Sequence, residues 1–141
     1  MKIVFIGCGA KKRKEDCQAK DMYVGCLFVK ALQYARTLNA DRIYVLSAKY
    51  RLLSLDDEIS PYNETLNKKT SKEIEEWSQI VVNRMKEEGI DPYKDELIFL
   101  CGVKYYRYIL KNLGKPSNVV LPYKDCKGIG YILQFLNNKL K

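Results

Sequence analysis

The sequence predicts an α/β fold: a single domain over residues 1–141 with an open, mainly parallel four-stranded sheet and helices on both faces. First, 141 residues suffice for one domain that buries roughly two thirds of its unfolded surface. Second, four short apolar runs alternate with segments of helical periodicity, in the order β-α-β-loop-α-β-α-β-α. That order is typical of a parallel sheet whose crossover helices cover both faces. Third, no internal repeat, low-complexity tract or linker divides the chain.

The sequence of the N-terminal part predicts two strands and one helix. Residues 2–7 (KIVFIG) form an apolar run that ends in glycine, as a central parallel strand does. A polar loop over 8–20 follows, and a helix is predicted over 21–38, where Asp21 either caps the helix or points into the cleft. Residues 42–46 are the second predicted strand.

The segment over residues 47–69 is predicted to be irregular. It is longer than compact domains normally contain without a functional reason, so its length favours a functional role. Residues 70–73 (TSKE) have the form of a capping box, which predicts a helix from there to about Glu88. Gly89 should end that helix.

The C-terminal part predicts two further strands and two helices. The strands are residues 96–101 and 118–121, and Gly114 closes a helix over 103–113 between them. A last helix is predicted over 128–140. The residues expected to face inward on it are Ile129, Ile132, Leu133 and Leu136.

Composition favours a cytoplasmic protein that does not enter a membrane. No stretch approaches the roughly 20 consecutive apolar residues that a membrane span requires, and the first ten residues do not resemble a signal peptide. The five cysteines contain no CxxC pair and the chain has no histidine. We therefore expect free thiols in a reducing compartment, no metal site and no cofactor.

Positive charge is concentrated at the two ends of the chain. The net charge is +8; residues 1–20 hold six Lys/Arg and two acids, and residues 101–141 hold eight Lys/Arg and one acid. If both ends lie on one face, that face would attract a polyanion such as a nucleic acid or a nucleotide. The alternative is a lysine-rich composition without such a partner.

Topology predicts where a site would lie. Parallel strands end at the same edge of a sheet, and ligands bind outside these carboxyl ends. The loops after Gly7, Leu46, Cys101 and Leu121 should therefore converge. This inference depends on the strand order alone.

The loop after the first strand is a candidate phosphate-binding segment. Gly7-Cys8-Gly9 is not a dinucleotide fingerprint, because no helix begins at once, and no P-loop spacing occurs. The glycines would still let the backbone approach a ligand, and Lys11–Lys14 (KKRK) would neutralise phosphate. The alternative is a solvated surface loop. Cys8 as a nucleophile would lack a histidine base.

Acid–base chemistry without histidine must use carboxylates, lysine, tyrosine or cysteine. Asp57 and Glu58 are the candidate catalytic carboxylates, together with Asp21 if it points into the cleft. A carboxylate there would position water or stabilise a cationic sugar. The alternative for Asp57 and Glu58 is a turn in solvent.

The candidate binding residues lie on either side of these carboxylates. Tyr62 follows Pro61 and either stacks a base or fills the core. Phosphate would be held by Lys11, Lys12 and Lys49. A base edge or sugar would be bound by Ser47 and Asn63.

Four segments of the chain carry a resemblance: CGAKKRK, AKDMYVGCLFVKALQYA, YVLSAKYRLLSLDDEISPYNETL and LPYKDCKGIGYILQFL. They resemble a family of small bacterial and phage domains of unknown function. Its members read C-G-x-K-K, then D-L-Y-x-x-x-x-F, then I-L-S-A-K-x-G-L-L and I-x-P-Y-x-x-T-L. The match spans nearly the whole chain, with one departure at Arg51, where the family usually has glycine. The matched signature is Cys8, Lys11, Lys12, Asp21, Tyr23, Phe28, Ser47, Lys49, Pro61, Tyr62, Thr65, Gly128 and Gly130.

At the level of fold, that family is similar to uracil-DNA-glycosylase-like α/β domains, including those attached to enzymes that modify deazaguanine in transfer RNA. The resemblance implies a site at the signature residues and assigns no role to any of them. Cys8 and Tyr23, which belong to the signature, are added to the candidate substrate-binding residues. The glycosylase motifs with a catalytic acid after the first strand and a histidine after the last are missing.

The combined hypothesis is an enzyme that acts on a nucleotide or nucleic acid, most plausibly an N-glycosidase-like hydrolase of a modified base. Such an enzyme would flip a duplex base out of the stack. The alternatives are a nucleic-acid-binding domain without catalysis and a domain that senses a small nucleotide.

Overall fold

A computed structural model describes all 141 residues and shows an α/β fold. The strands are β1 (Lys2–Gly7), β2 (Cys17–Gln18), β3 (Arg42–Ser47), β4 (Arg51–Ser54), β5 (Glu58–Ile59), β6 (Glu96–Leu100) and β7 (Asn118–Val120). The helices are α1 (Ala19–Met22), α2 (Cys26–Arg36), α3 (Ser71–Glu87), α4 (Val103–Asn112) and α5 (Ile129–Lys139), with a 3-10 turn at Leu66–Lys68.

The main sheet has five strands in the order β4-β3-β1-β6-β7. The strands β3, β1, β6 and β7 are parallel, and β4 runs antiparallel to β3. The chain leaves β1 towards β3 on one side and later returns to β6 on the other. The carboxyl ends of β1 and β6 therefore form the switch point at which open α/β sheets place a ligand.

The four predicted parallel strands are confirmed, but the sheet has a fifth strand that is antiparallel, so it is a mixed sheet of five strands. The additional strand, β4, lies inside the segment that the sequence predicts to be irregular. Leu52 and Leu53 pack into the cores on opposite faces of the sheet, so β4 shows no alternation of apolar and polar residues. Its pairing with β3 depends on a tight hairpin in which Arg51 has φ 68°.

The helix predicted over residues 21–38 is broken into α1 and α2. Arg13 N donates to Met22 O at 2.9 Å and Val24 N donates to Lys11 O at 3.0 Å. These bonds draw residues 22–24 into extended pairing with the preceding loop, which competes with helix. Asp21 is exposed within α1 and is not its N-cap residue. Its alternative role, as a helix cap, is therefore wrong.

The helices after residue 70 follow their sequence signals closely. The Thr70–Glu73 capping box is present at the start of α3, and Gly89 (φ 78°) and Gly114 (φ 82°) follow the ends of α3 and α4. On α5 the prediction for Ile129 is wrong, because 65% of it is exposed, whereas Leu136 is fully buried.

The helices cover both faces of the sheet. Phe5, Tyr44 and Phe99 pack with residues of α3 and α4 on one face, where the Phe5 and Phe99 rings stack at 4.8 Å. Val4 and Ile98 pack with residues of α1, α2 and α5 on the other face. This arrangement leaves the carboxyl edge of the sheet to the loops and helix starts. None of the helices combines the length and apolarity needed to cross a membrane.

Candidate functional site

A cavity of about 110 Å³ lies at the switch point between β1 and β6. Most of its lining is apolar. The lining residues are Ile6, Gly7, Cys8, Gly9, Leu27, Phe28, Ala31, Leu100, Cys101, Gly102, Tyr105, Tyr123 and Ile132. The converging loops that topology predicts thus enclose a real cavity, with contributions from the loops after β1, β6 and β7.

Glycines let the backbone approach this cavity closely. A Cβ atom on Gly7 would lie 3.0 Å from Cys101 Cβ, so a side chain at this position would push β1 and β6 apart by a few tenths of an ångström. A Cβ atom on Gly9 would lie 3.9 Å from Phe28 Cβ, in ordinary contact. Gly9 is half-buried and Gly102 is exposed, so the cavity opens to solvent between them.

No aspartate, glutamate, lysine or arginine lines the cavity. Cys8 Sγ lies 3.3 Å from the Tyr105 hydroxyl, and burial raises the pKa values of Tyr105 and Cys101. The Tyr123 hydroxyl is buried and has no hydrogen-bond partner, while the whole residue is 8% exposed. A buried hydroxyl without a partner is costly, so Tyr123 is a candidate to bind a ligand. A mostly apolar lining without charged side chains favours a neutral ligand over an ion.

A chain of three hydroxyls lies beside the cavity. The Ser47 hydroxyl accepts from the backbone N–H of Lys49 (3.3 Å) and Tyr50 (2.9 Å) and donates to the Tyr62 hydroxyl at 2.8 Å. The Tyr62 and Tyr23 hydroxyls are 2.6 Å apart. Either tyrosine can be the donor in this bond, because the Tyr62 oxygen has a second lone pair beside the one that accepts from Ser47.

Burial and the fold hold this chain in its neutral form. Burial raises the pKa of Tyr23 to about 12 and also raises the pKa of Tyr62. Trp77 Nε1 donates to Ser47 O at 2.8 Å and fixes the end of β3. The Tyr23 ring lies 4.8 Å from the ring of Phe28, which lines the cavity. The hydroxyl chain and the cavity therefore share a wall.

The basic loop (residues 8–16) is fixed in place above these tyrosines. Its backbone pairs with residues 22–24, and Lys12 Nζ lies 4.4 Å from the centre of the Tyr62 ring and 5.9 Å from that of Tyr23. Such distances are those of cation–π contacts. Lys11, Arg13 and Lys14 are exposed, and none of them forms an ion pair. The loop is thus an ordered source of positive charge.

The structure brings together most of the predicted binding residues. Cys8 and Tyr62 both pack against the two cores at the carboxyl edge. Lys49 borders the hydroxyl chain, with Nζ 5.4 Å from the Tyr50 ring centre. The residues gathered in this region are Cys8, Lys12, Tyr23, Ser47, Lys49 and Tyr62. Lys11 and Asn63 are exposed in the adjoining loops.

The predicted carboxylates lie elsewhere. Asp57 accepts a hydrogen bond from Ser54 N at 2.8 Å in the turn after β4, towards the amino edge of the sheet. Glu58 is exposed on β5, where it pairs with Gln18, and Asp21 is exposed on α1. No aspartate or glutamate lines the cavity. The catalytic roles of these three residues stay predictions.

Several cavity residues are not among the predicted site residues. Tyr105 lies in the first turn of α4, directly after a strand end, and that position is a usable signal. Phe28 belongs to the apolar stripe of α2, which indicates only burial. The unpartnered hydroxyl of Tyr123 depends on its three-dimensional surroundings, and no sequence pattern reports it.

Comparison with known proteins places the chain among relatives of unassigned activity. Residues 3–138 match a family of unknown function, DUF6884. The chain belongs to this family. The uncharacterized protein YfjM of Bacillus subtilis (strain 168) is 28% identical over 146 residues, which cover 99% of this chain and 95% of that protein. No solved structure matches the chain at a significant level. Membership of DUF6884 confirms the resemblance to a family of unknown function.

Proposed function

We propose that this DUF6884 protein recognises a nucleobase of a nucleotide or nucleic acid and holds its ring in the cavity between β1 and β6. The size of the cavity, about 110 Å³, is the observation that carries the proposal. An apolar protein cavity of about 150 Å³ is known to accept benzene. This cavity is smaller and open on one side, so it has room for no more than one six-membered ring, with the attached sugar outside the opening.

The lining supports an aromatic ligand with polar edges. Phe28, Tyr105 and Tyr123 supply aromatic surface, and the Tyr123 hydroxyl and the Cys8 thiol supply hydrogen-bonding groups. Heteroaromatic bases need both kinds of contact, stacking on a ring and hydrogen bonds to the edge. A purely aliphatic ligand would leave the Tyr123 hydroxyl without a partner.

The basic loop supports a phosphate next to the base. Lys11, Arg13 and Lys14 are exposed and unpaired in the loop whose first residues, Cys8 and Gly9, line the cavity, and the loop backbone is held by pairing with residues 22–24. Because this positive charge is ordered before a ligand binds, a phosphate gains attraction without the cost of ordering the loop.

The reaction that we propose is hydrolysis of the N-glycosidic bond, and the likeness to uracil-DNA-glycosylase-like domains is part of the same proposal. In that reaction the bond between base and sugar breaks, water supplies the hydroxyl of the sugar, and the base leaves with a proton. The Tyr123 hydroxyl is the candidate donor to the base, because it lines the cavity and has no hydrogen-bond partner within the protein. Of the predicted carboxylates, Asp57 lies towards the opposite edge of the sheet, so Glu58, exposed on β5, is the remaining candidate for the cationic sugar.

A second candidate is recognition of the same ligand without reaction. It is favoured by one observation, that no carboxylate lines the cavity. Glu58→Gln and Asp57→Asn separate the two candidates. An enzyme that uses these carboxylates loses turnover but still binds its substrate. A binding domain holds a polyanion equally well or better after the loss of negative charge.

The test is incubation with modified and unmodified DNA, nucleosides and nucleotides, followed by mass spectrometry for a released base. We expect release by the wild type and its loss in Gly9→Val, whose added methyl groups enter the cavity beside Phe28. Gly9→Ala is the graded control, since it adds one Cβ atom at an ordinary contact distance. If no base is released from any substrate of the panel, the proposed glycosidase activity is wrong. If no ligand of the panel binds either, the proposed base recognition is also wrong.

A further inference from the structure

We infer, on the basis of the proposed function, that the ligand is single-stranded nucleic acid rather than a free mononucleotide. The surface that would bind the neighbouring nucleotides is called the rim here. It is formed by Val103, Lys104, Lys124, Lys127, Ile129 and Tyr131. The proposed function assigns a base to the cavity and says nothing of this surface.

The rim borders the opening of the cavity. Val103 directly follows Gly102, and Ile129 lies one helical turn before Ile132; both Gly102 and Ile132 line the cavity. The lysines at 124 and 127 belong to the loop that follows β7 and carries Tyr123. A strand whose base enters the cavity must therefore pass over the rim.

The apolar side chains of the rim are unusually exposed. Ile129 is 65% exposed, Tyr131 is 59% exposed and Val103 is 53% exposed, and all three lie within the first three residues of α4 or α5. Exposed apolar groups that cluster beside a cavity indicate a binding surface rather than chance. Aromatic and apolar surface interleaved with lysines is typical of proteins that bind single strands, whose bases stack on such side chains.

The charge of the rim is free to bind phosphate. Lys104, Lys124 and Lys127 are exposed and form no ion pair. Asp125 is the only acid in the loop between β7 and α5, and Glu15 and Asp16 are the only acids of the basic loop opposite. The positive groups therefore outnumber the negative ones on both sides of the opening.

The placement of these charges favours a polymer. The basic loop follows β1, whereas the rim lysines follow β6 and β7, so the two positive groups lie on opposite sides of the cavity. Since neighbouring strands are about 4.8 Å apart, the ends of β1 and β7 are separated by about 10 Å. A strand that crosses the opening would place a separate phosphate near each group, whereas a mononucleotide has a phosphate at one position only.

The same charges argue against a second copy of this chain as the occupant. A two-fold dimer through the rim would place identical surfaces in contact, with lysines facing lysines. Like charges brought together in this way oppose association. The complementary partner is a polyanion.

The test is fluorescence anisotropy with a labelled, mixed-sequence single-stranded DNA of 12 nucleotides, with unlabelled mononucleotides as competitors. We expect the oligonucleotide to bind at least about 100-fold more tightly than any mononucleotide. Tyr131→Ala should weaken binding by about five- to a hundredfold if a base stacks on it. Lys124→Ala with Lys127→Ala should lower the slope of affinity against salt by about 0.7 for each phosphate that the variant no longer neutralises.

Matched controls lie at the opposite edge of the sheet. Tyr93 is 61% exposed. Lys86, in the last turn of α3, and Lys94, just before β6, are also exposed. Tyr93→Ala and the double variant Lys86→Ala, Lys94→Ala should bind as the wild type does. Because all the substituted residues are exposed, thermal melts should show every variant to be folded.

Two results would overturn the inference. The first is that mononucleotides bind as tightly as the oligonucleotide and that the rim variants have no effect. This result would be compatible with base recognition but would contradict a single-stranded nucleic acid as the preferred ligand. A concentration-dependent dimer in sedimentation that Tyr131→Ala dissociates would assign the rim to self-association. Failure of the proposed function is distinct from both, because neither ligand would then bind and Gly9→Val would change nothing.

Discussion

At the residue scale, the hydroxyl chain of Ser47, Tyr62 and Tyr23 is a hydrogen-bonded network beside the cavity. Ser47 lies at the end of β3 and is fully buried, so its hydroxyl must be satisfied within the protein. Two backbone N–H groups and Tyr62 satisfy it. The Tyr62 hydroxyl in turn lies 2.6 Å from the Tyr23 hydroxyl, so the three side chains hold the end of β3 and the segment between α1 and α2 together.

The raised pKa of Tyr23 predicts a loss of stability at alkaline pH. Burial raises this pKa from the ordinary value of 10.0 to about 12, so the folded protein favours the neutral phenol. The contribution of neutral Tyr23 to the free energy of unfolding is fully present below pH 10, where the phenol is neutral in the unfolded chain as well. Between about pH 10 and 12 the unfolded chain ionises first, and Tyr23 contributes a loss of up to about 1.4 kcal/mol per pH unit.

Urea unfolding at pH 8 to 11 measures this loss, with Tyr23→Phe as the comparison. The variant should be less stable at pH 8 by about 1 kcal/mol, because the bond to Tyr62 is removed, and its stability should fall less steeply with pH. Tyr131→Phe is the exposed control and should retain the wild-type slope. Parallel slopes for wild type and Tyr23→Phe would show that Tyr23 is not held neutral by burial.

At the scale of secondary structure, the β3–β4 hairpin depends on an arginine in a glycine-like conformation. Arg51 has φ 68°, a region that costs a residue with a side chain roughly 1–2 kcal/mol. The sequences that this chain resembles usually have glycine here. Part of the cost is offset because Arg51 Nη1 donates to Lys49 O at 2.9 Å.

Substitution of Arg51 tests this conformation. Arg51→Ala keeps the strained φ and removes the side-chain hydrogen bond, so we expect it to be destabilised. Arg51→Gly relieves the strain, and we expect it to be more stable than Arg51→Ala by about 1 kcal/mol in urea unfolding. If the two variants have the same stability, or the alanine variant is the more stable, the left-handed conformation at residue 51 is wrong.

Elements with strong local signals could be predicted from the sequence, and elements formed by pairing could not. The capping box and Gly89 define α3 because the determining residues lie at its two ends. In contrast, β4 exists because it pairs with β3, and the break between α1 and α2 exists because residues 22–24 pair with the basic loop. A local pattern cannot report a partner that is distant in the sequence.

At the scale of the whole molecule, strand order decides where chemistry can occur. The parallel strands gather the loops after β1, β3, β6 and β7 at one edge, and the switch between β1 and β6 opens the cavity there. The location of the candidate site could therefore be predicted from the order of elements alone. The antiparallel β4 carries the chain back towards the amino edge, which moves Asp57 away from the cavity.

An NMR titration of the ¹⁵N-labelled protein with nucleosides and short single strands tests most directly whether a base occupies the cavity. We predict chemical-shift changes concentrated at the backbone amides of residues 7–9 and 101–102, and their loss in Gly9→Val. Shifts that are absent across all ligands, or that cluster instead near Asp57 and remain unchanged in Gly9→Val, would contradict base recognition at this site.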